Sequence, residues 1–267
     1  IFHTGYTDKA LVSGDKIERN KKLILKELEE RPEDYAMMGN LADVYRAMGE
    51  FDLAIEWYER SNRQFLIQEP DWQGMNERMI TNYSCLLNLL CAEKKDRAWI
   101  LRTYEEAIRE FPQESDFDYL VGMYLAGQNE WKQAASHLER ALKILEQNSL
   151  VCQGMMLTAD LQRVWEYLAM AYFNDGKKEN CVNTCVAFLK EERFSKGILR
   201  ILLTVFGREA DAGQVLDFLG KLYDLSNLKE RLFVLKAAKE VGYEGLAQEL
   251  RPFFSPQELE ALKSMGM

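Results

Sequence analysis

At 267 residues the chain exceeds most single-core domains, which implies either one elongated domain or two compact ones. Hydrophobic residues make up 47% and charged residues 29%, with only 5 Pro and 16 Gly, and this composition excludes a mainly disordered or collagen-like chain. Lys and Arg number 34 against 43 Asp and Glu, and the net charge of -9 argues against nucleic acid or an anionic membrane surface as partner.

In chain order, Ile1 to Tyr6 has neither the charged nor the apolar region of a signal peptide, and a first residue other than Met reads as a piece cut from a longer protein. Asp15 to Arg31 reads as one amphipathic helix, with Ile17, Leu23, Ile24 and Leu28 on its apolar face. A repeat then begins. Leu41-Ala42, Tyr45, Gly49, Phe51, Ala54 and Tyr58 set out a helix with a small residue on its face, a glycine stop, and a second helix with a small residue of its own. The pattern returns at Val121-Gly122, Leu125, Trp131, Ala134, Leu138 and Ala141, and again at Trp165, Leu168-Ala169, Tyr172, Gly176 and Cys181. A weaker copy runs through Leu87, Cys91, Tyr104, Ala107 and Pro112.

The physical logic is that of paired helices. Ala42, Gly122 and Ala169 let a second helix approach, Ala54 and Ala134 do the same in return, and Tyr45, Tyr58 and Tyr172 fill the groove that remains. Pro32 and Pro112 each stand three residues before a unit's first position, Tyr35 and Ser115, where proline stops one helix ahead of the next. Counted between Leu41, Leu87, Val121 and Leu168 the spacing is 46, 34 and 47 residues, so Gln64 to Gly74 and Gln147 to Thr158 are insertions. The apolar Phe65-Leu66-Ile67 favours an extended helix end for the first. In the second unit Asn88 and Ile100 take positions that are usually small, and Phe188 does so in the fourth, so those units are expected to be splayed or shifted.

These residues resemble the tetratricopeptide repeat, a helix-turn-helix unit of about 34 residues. The resemblance implies an all-α fold, a right-handed α-solenoid of tetratricopeptide-like helical hairpins with additional C-terminal capping helices. Residues 1–14 are then a linker or the remnant of a preceding catalytic domain, and residues 15–192 a leading half repeat with about four units. Residues 193–267 are degenerate or capping helices, read as Phe194 to Phe206, Ala212 to Leu225, Asn227 to Val241, Glu244 to Arg251 and Gln257 to Lys263. Ser255-Pro256-Gln257-Glu258 carries the signature of a capping box with proline at the first helical position.

Chemistry is sparse. The longest apolar run, Ile198 to Phe206, is broken by Arg200 and falls short of the roughly 20 residues that a membrane span needs. Cys85, Cys91, Cys152, Cys181 and Cys185 are odd in number and contain no Cys-x-x-Cys pair, which fits a reducing, cytoplasmic location. His3 and His137 are the only histidines, too few for a metal site within the chain, and His137 reads as structural. Cys181 and Cys185 share a helical face and read as packing residues. No phosphate loop, dinucleotide fingerprint or nucleophile elbow occurs, so no catalytic residue or cofactor is assigned to this chain.

A second resemblance rests on Ile1-Phe2-His3-Thr4-Gly5-Tyr6, on Glu18-Arg19-Asn20, and on the helix ending at Arg31-Pro32-Glu33-Asp34. This stretch is similar to the junction in bacterial family-2 glycosyltransferases, where the nucleotide-sugar domain gives way to tetratricopeptide repeats. The likeness implies a parent enzyme that uses a nucleotide sugar and a divalent metal, with His3 beside them. The donor fold of that family, which carries its Asp-x-Asp motif, is absent here.

The repeat resemblance further implies a protein or peptide partner on the concave face made by the first helix of each unit. With first positions at Tyr35, Thr81, Ser115 and Gln162, that face carries Asn40, Asp43, Arg46, Leu89, Tyr119, Met123, Glu166, Met170 and Phe173, together with Gly39 and Cys85. Met and aromatic contacts mixed with carboxylates suit an apolar or basic ligand. The Lys and Asn ladder of the family's chaperone-tail clamp is missing, which disfavours a C-terminal carboxylate. The chain's own C-terminal helices, a second chain or the preceding catalytic domain are alternative occupants. A stand-alone scaffold unrelated to glycosyl transfer is the alternative function.

Overall fold

The computed structural model describes residues 14–147, 154–207 and 210–264. His3 and the middle of the second insertion lie outside them. All regular structure among the described residues is helical: α1 (Gly14–Glu30), α2 (Tyr35–Met48), α3 (Phe51–Gln68), α4 (Glu77–Ala92), α5 (Arg97–Glu110), α6 (Ser115–Gly127), α7 (Trp131–Gln147) and α8 (Met155–Ala159) come first. They are followed by α9 (Leu161–Asn174), α10 (Lys178–Glu191), α11 (Lys196–Phe206), α12 (Ala212–Leu219), α13 (Leu228–Glu240), α14 (Glu244–Glu249), a short 3-10 turn (Arg251–Phe253) and α15 (Pro256–Ser264). None is long and apolar enough to cross a membrane. The chain divides into two compact units, residues 1–124 with 140–156 and residues 125–139 with 157–267.

One local device recurs along the chain. Gly49, Lys94, Asn129, Gly176 and Gly242 adopt φ of +79°, +50°, +62°, +78° and +71°. After each, the next backbone N–H reaches back five residues, from Glu50 to Tyr45 (2.9 Å), Lys95 to Leu90 (3.0 Å), Glu130 to Leu125 (2.9 Å), Lys177 to Tyr172 (2.9 Å) and Tyr243 to Ala238 (2.8 Å). This closure satisfies carbonyls at the helix end and turns the chain within two to four residues, so the next helix folds back antiparallel. Glycine adopts the left-handed conformation without cost, and asparagine tolerates it.

Counting back seven residues from these turns fixes the register of the tight helix contacts. Ala42, Leu87, Gly122 and Ala169 fall at that place and are all buried, whereas Asn88 is exposed. The alignment that put Asn88 beside Ala42 is therefore off by one residue, because the first insertion changes the spacing ahead of Lys94. Leu87 is the large substitute in the second repeat, and α4 and α5 pack less extensively than α2 and α3. Across the hairpins, Ala54, Ile100, Ala134 and Cys181 are fully buried at the matching place on the second helices. Tyr58 and Tyr172 are buried between them.

In the first unit α1 covers α2, α3 joins α2 to α4, and α4 pairs with α5. Helix α3 runs through Phe65, which is buried, so the extended helix end expected there is present. Helix α4 starts a turn earlier than Thr81, at Glu77, because Asn76 caps it by accepting from Met79 N at 3.2 Å. In the second unit α9 pairs with α10, and the first helices stack as α9 on α11 on α13, with α14 against α12 and α13. The capping box is formed: Ser255 N donates to Glu258 Oε2 (2.7 Å) and Glu258 N to Ser255 Oγ (3.3 Å).

Ala169 is completely buried where α9 meets its neighbour. Ala169→Trp is expected to cost about 1–3 kcal/mol or more through overpacking, read as a fall in melting temperature; an unchanged melting temperature would contradict the register.

Candidate functional site

In the first unit, Asn40, Asp43 and Arg46 lie along one side of α2 opposite α4. Asp43 is their hub. Its Oδ2 accepts from Arg78 Nη1 at 2.7 Å and its Oδ1 from the Tyr58 hydroxyl at 2.5 Å, while Arg78 Nη1 also reaches Asn40 Oδ1 at 3.3 Å. Asn82 Nδ2 donates to Ser61 Oγ (2.7 Å), which donates to the Tyr35 carbonyl (2.6 Å), so the network ties α2, α3 and α4 together. Asn40 and Asp43 are thus committed to holding helices, and of the three predicted residues only Arg46 stands exposed.

Arg78 depends on Gly39. A Cβ at that position would lie 2.6 Å from Arg78 Nε, 2.7 Å from Nη2 and 2.7 Å from Asn82 Oδ1. Those three atoms are buried without a hydrogen-bond partner, which makes the fit against the glycine backbone tight on its polar side.

Protonation follows from the same surroundings. Partial desolvation by its neighbours opposes the Arg46 charge, exposed though the residue is, but Cys85, Tyr58 and Asp43 outweigh it and hold the guanidinium protonated. Burial first, and then the neighbouring Cys85 and Asp43, pushes the Tyr58 phenol up, so it remains a donor. Burial likewise raises the Cys85 thiol, with Arg46 opposing. These groups are neutral donors and a fixed cation rather than nucleophiles.

Farther along the first unit, Leu89 and Tyr119 are buried, at 6% and 8% exposure, and act as walls; Met123 is half-buried. Asp118, wholly buried, accepts from the Tyr104 hydroxyl (2.7 Å) and pairs with Arg140 Nε (3.0 Å). Asp116 and Glu114 accept backbone N–H groups of Met156 (3.1 Å) and Gly154 (2.9 Å), so the end of the second insertion is tied to the start of α6.

In the second unit, Glu166, Met170 and Phe173 follow one another along α9, all half-buried. The Glu166 carboxylate accepts from Gln162 Nε2 (3.0 Å) and lies against Gly197, where any Cβ would overlap it. Gly197 is in the first turn of α11, whose free N–H groups favour an anion. Glu166 therefore serves the stacking of α9 on α11, which leaves Met170 and Phe173 for contact. The Tyr172 hydroxyl donates to Glu139. Cys181 and Cys185 are fully buried. Among the described residues no group of three His, Cys, Asp or Glu is arranged to hold a metal.

Two residues that the sequence reading did not single out organise the first unit. Arg78 escapes a reading that starts the helix at Thr81, although Asn76 ahead of Glu77 is the kind of capping residue that moves the start. Trp72, in the first insertion, stacks between Phe65 and Phe111 with ring centroids at 5.4 and 4.7 Å.

Two stretches, residues 37–61 and 101–149, match family models of the tetratricopeptide repeat. Among solved structures, the chain is similar to YrrB, described as a TPR protein with an unusual peptide-binding site, at 16% identity and TM-score 0.54 over 86% of this chain and 97% of that one. It is similar to yeast Tom70 at 14% identity and TM-score 0.50, covering 91% of this chain but only 46% of Tom70. A tetratricopeptide repeat protein from Parabacteroides merdae gives 14% identity and TM-score 0.50 over 94% and 90%. Identities this low establish the fold alone. No curated protein sequence matches.

Alanine in place of an ordinary helical glycine stabilises by about 1 kcal/mol. Gly39→Ala is expected to do the opposite, lowering stability in a denaturant titration because the Arg78 guanidinium must leave Asp43; a gain in stability would contradict the cradle.

Proposed function

We propose that this chain, built of tetratricopeptide-type hairpins, is a non-catalytic protein-interaction module whose first-helix faces take a protein or peptide partner. The observation that carries the reading is the separation of roles on those faces. Asn40, Asp43 and Glu166 are engaged between helices, Leu89 and Tyr119 form walls, and Arg46, Met123, Met170 and Phe173 remain to make contact. Met and Phe side chains adapt to varied apolar groups, and Arg46 adds one fixed cation. The first unit thus suits an apolar segment bearing an acidic or hydrogen-bond-accepting group, and the second a purely apolar one.

A triple variant, Arg46→Glu with Met123→Ala and Phe173→Ala, tests this by affinity capture. The partner recovered on the unaltered chain is expected to fall at least about tenfold, with helical content kept, because a few central side chains dominate such binding; undiminished recovery would contradict the proposal.

A second reading is favoured by His3-Thr4-Gly5-Tyr6 and Arg19-Asn20. In it the module positions an acceptor for a preceding glycosyltransferase domain, and the nucleotide sugar and divalent metal belong to that domain. Nucleotide-sugar turnover by the parent reading frame and not by this chain is the expected result. A parent without a nucleotide-sugar domain would overturn it and leave the interaction module standing.

A further inference from the structure

The first insertion builds a cleft that the first-helix faces do not use. Trp72 pins the insertion down: besides stacking on Phe65 and Phe111, its Nε1–H donates to Glu110 Oε2 at 3.1 Å. Beside it opens a cavity of about 370 Å³ whose apolar lining is Met75, Ile80, Phe111 and Pro112, with Glu110 and Glu114 as its acidic members. Ile80 and Phe111 form a buried floor at 5% exposure each, and Met75 stands at the mouth, 47% exposed. The volume lies near the bottom of the range for ligand sites, about 300–1,000 Å³, and suits one or two side chains.

The electrostatics point one way. Residues 69–77 include Glu69, Asp71 and Glu77, all exposed, and no Lys or Arg. The cations next to the lining in sequence are both engaged, Arg78 with Asp43 (2.7 Å) and Arg109 with Glu110 (3.0 Å). The Tyr83 hydroxyl, buried and without a hydrogen-bond partner, is kept protonated by its burial and by Glu106 and Glu110. An occupant must therefore bring an apolar group to the floor and positive charge to the rim. A second copy of this chain, with its net charge of -9, is a poor match.

We propose that this cleft docks a segment of a partner protein that carries a Leu, Met or Phe side chain flanked by Lys or Arg. The site is separate from the contact residues proposed above, since its lining includes none of Arg46, Met123, Met170 and Phe173, and it does not rest on the function proposed for them.

The test is a methyl NMR titration of the whole chain labelled at Met and Ile. The probes are capped peptides Gly-Arg-X-Phe-Lys-Gly with X as Leu, Met or Phe, and their counterparts with Glu in place of Arg and Lys. Saturable shifts of the Ile80 and Met75 methyls are expected with a basic peptide, at least about tenfold tighter than with its acidic counterpart. The exposed double variant Asp71→Asn with Glu77→Gln should bind about threefold more weakly while melting as before. Three results would overturn the proposal: no shift at Ile80 and Met75 with any peptide, equal affinity for basic and acidic peptides, or shifts confined to Met123 and Met170. The last would leave the first-helix faces as peptide sites and the cleft as a feature of packing alone.

Discussion

Five helical hairpins among the described residues depend on reversing the chain in two to four residues without leaving helix-end carbonyls unsatisfied. The left-handed residues at 49, 94, 129, 176 and 242 do this, and each is followed by the same hydrogen bond five residues back. The turn fixes where the two helices of a unit cross. The small residue seven positions earlier then faces its counterpart on the second helix, and Ala42 against Ala54 is the plainest case. With register set locally, packing between units follows from which side chains the crossing leaves pointing outward.

Between units a second constraint operates, and glycine serves it differently. Gly39 in α2 lies beneath the guanidinium of Arg78 from α4, and Gly197 in α11 lies beneath the carboxylate of Glu166 from α9. In both units a charged end group from one first helix closes directly onto the backbone of a neighbouring one. The charge is compensated locally, by Asp43 for Arg78 and by the N-terminal turn of α11 for Glu166. Polar residues on the first-helix faces thus hold the stack together, and in the function proposed here recognition falls to the apolar and cationic groups left over.

Much of the fold was legible in the sequence because small residues, glycines and prolines recur in phase. Pro32 and Pro112 marked the starts of α2 and α6, and Ser255 to Glu258 marked the start of α15. The repeat made by α4 and α5 was harder to read. Its turn uses Lys94 instead of glycine and its tight position holds Leu87, so neither signal was present and the register slipped by one. The candidate face was legible as a set of positions but not as a set of roles. Helical spacing shows that Asp43 and Glu166 share a face with Arg46 and Met170, yet only three-dimensional neighbours reveal that Arg78 and Gly197 take up the first two. The cleft was invisible for a related reason: its walls come from an insertion and from a turn some 35–40 residues away.

The central claim is that binding belongs to the first helices. Hydrogen–deuterium exchange on the whole chain, alone and saturated with the protein it captures, tests this most directly, since a bound partner slows amide exchange where it covers or steadies a helix. Slowed exchange in α2, α6 and α9 is the expected result; slowing confined to the second helices α3, α5 and α10 would contradict it.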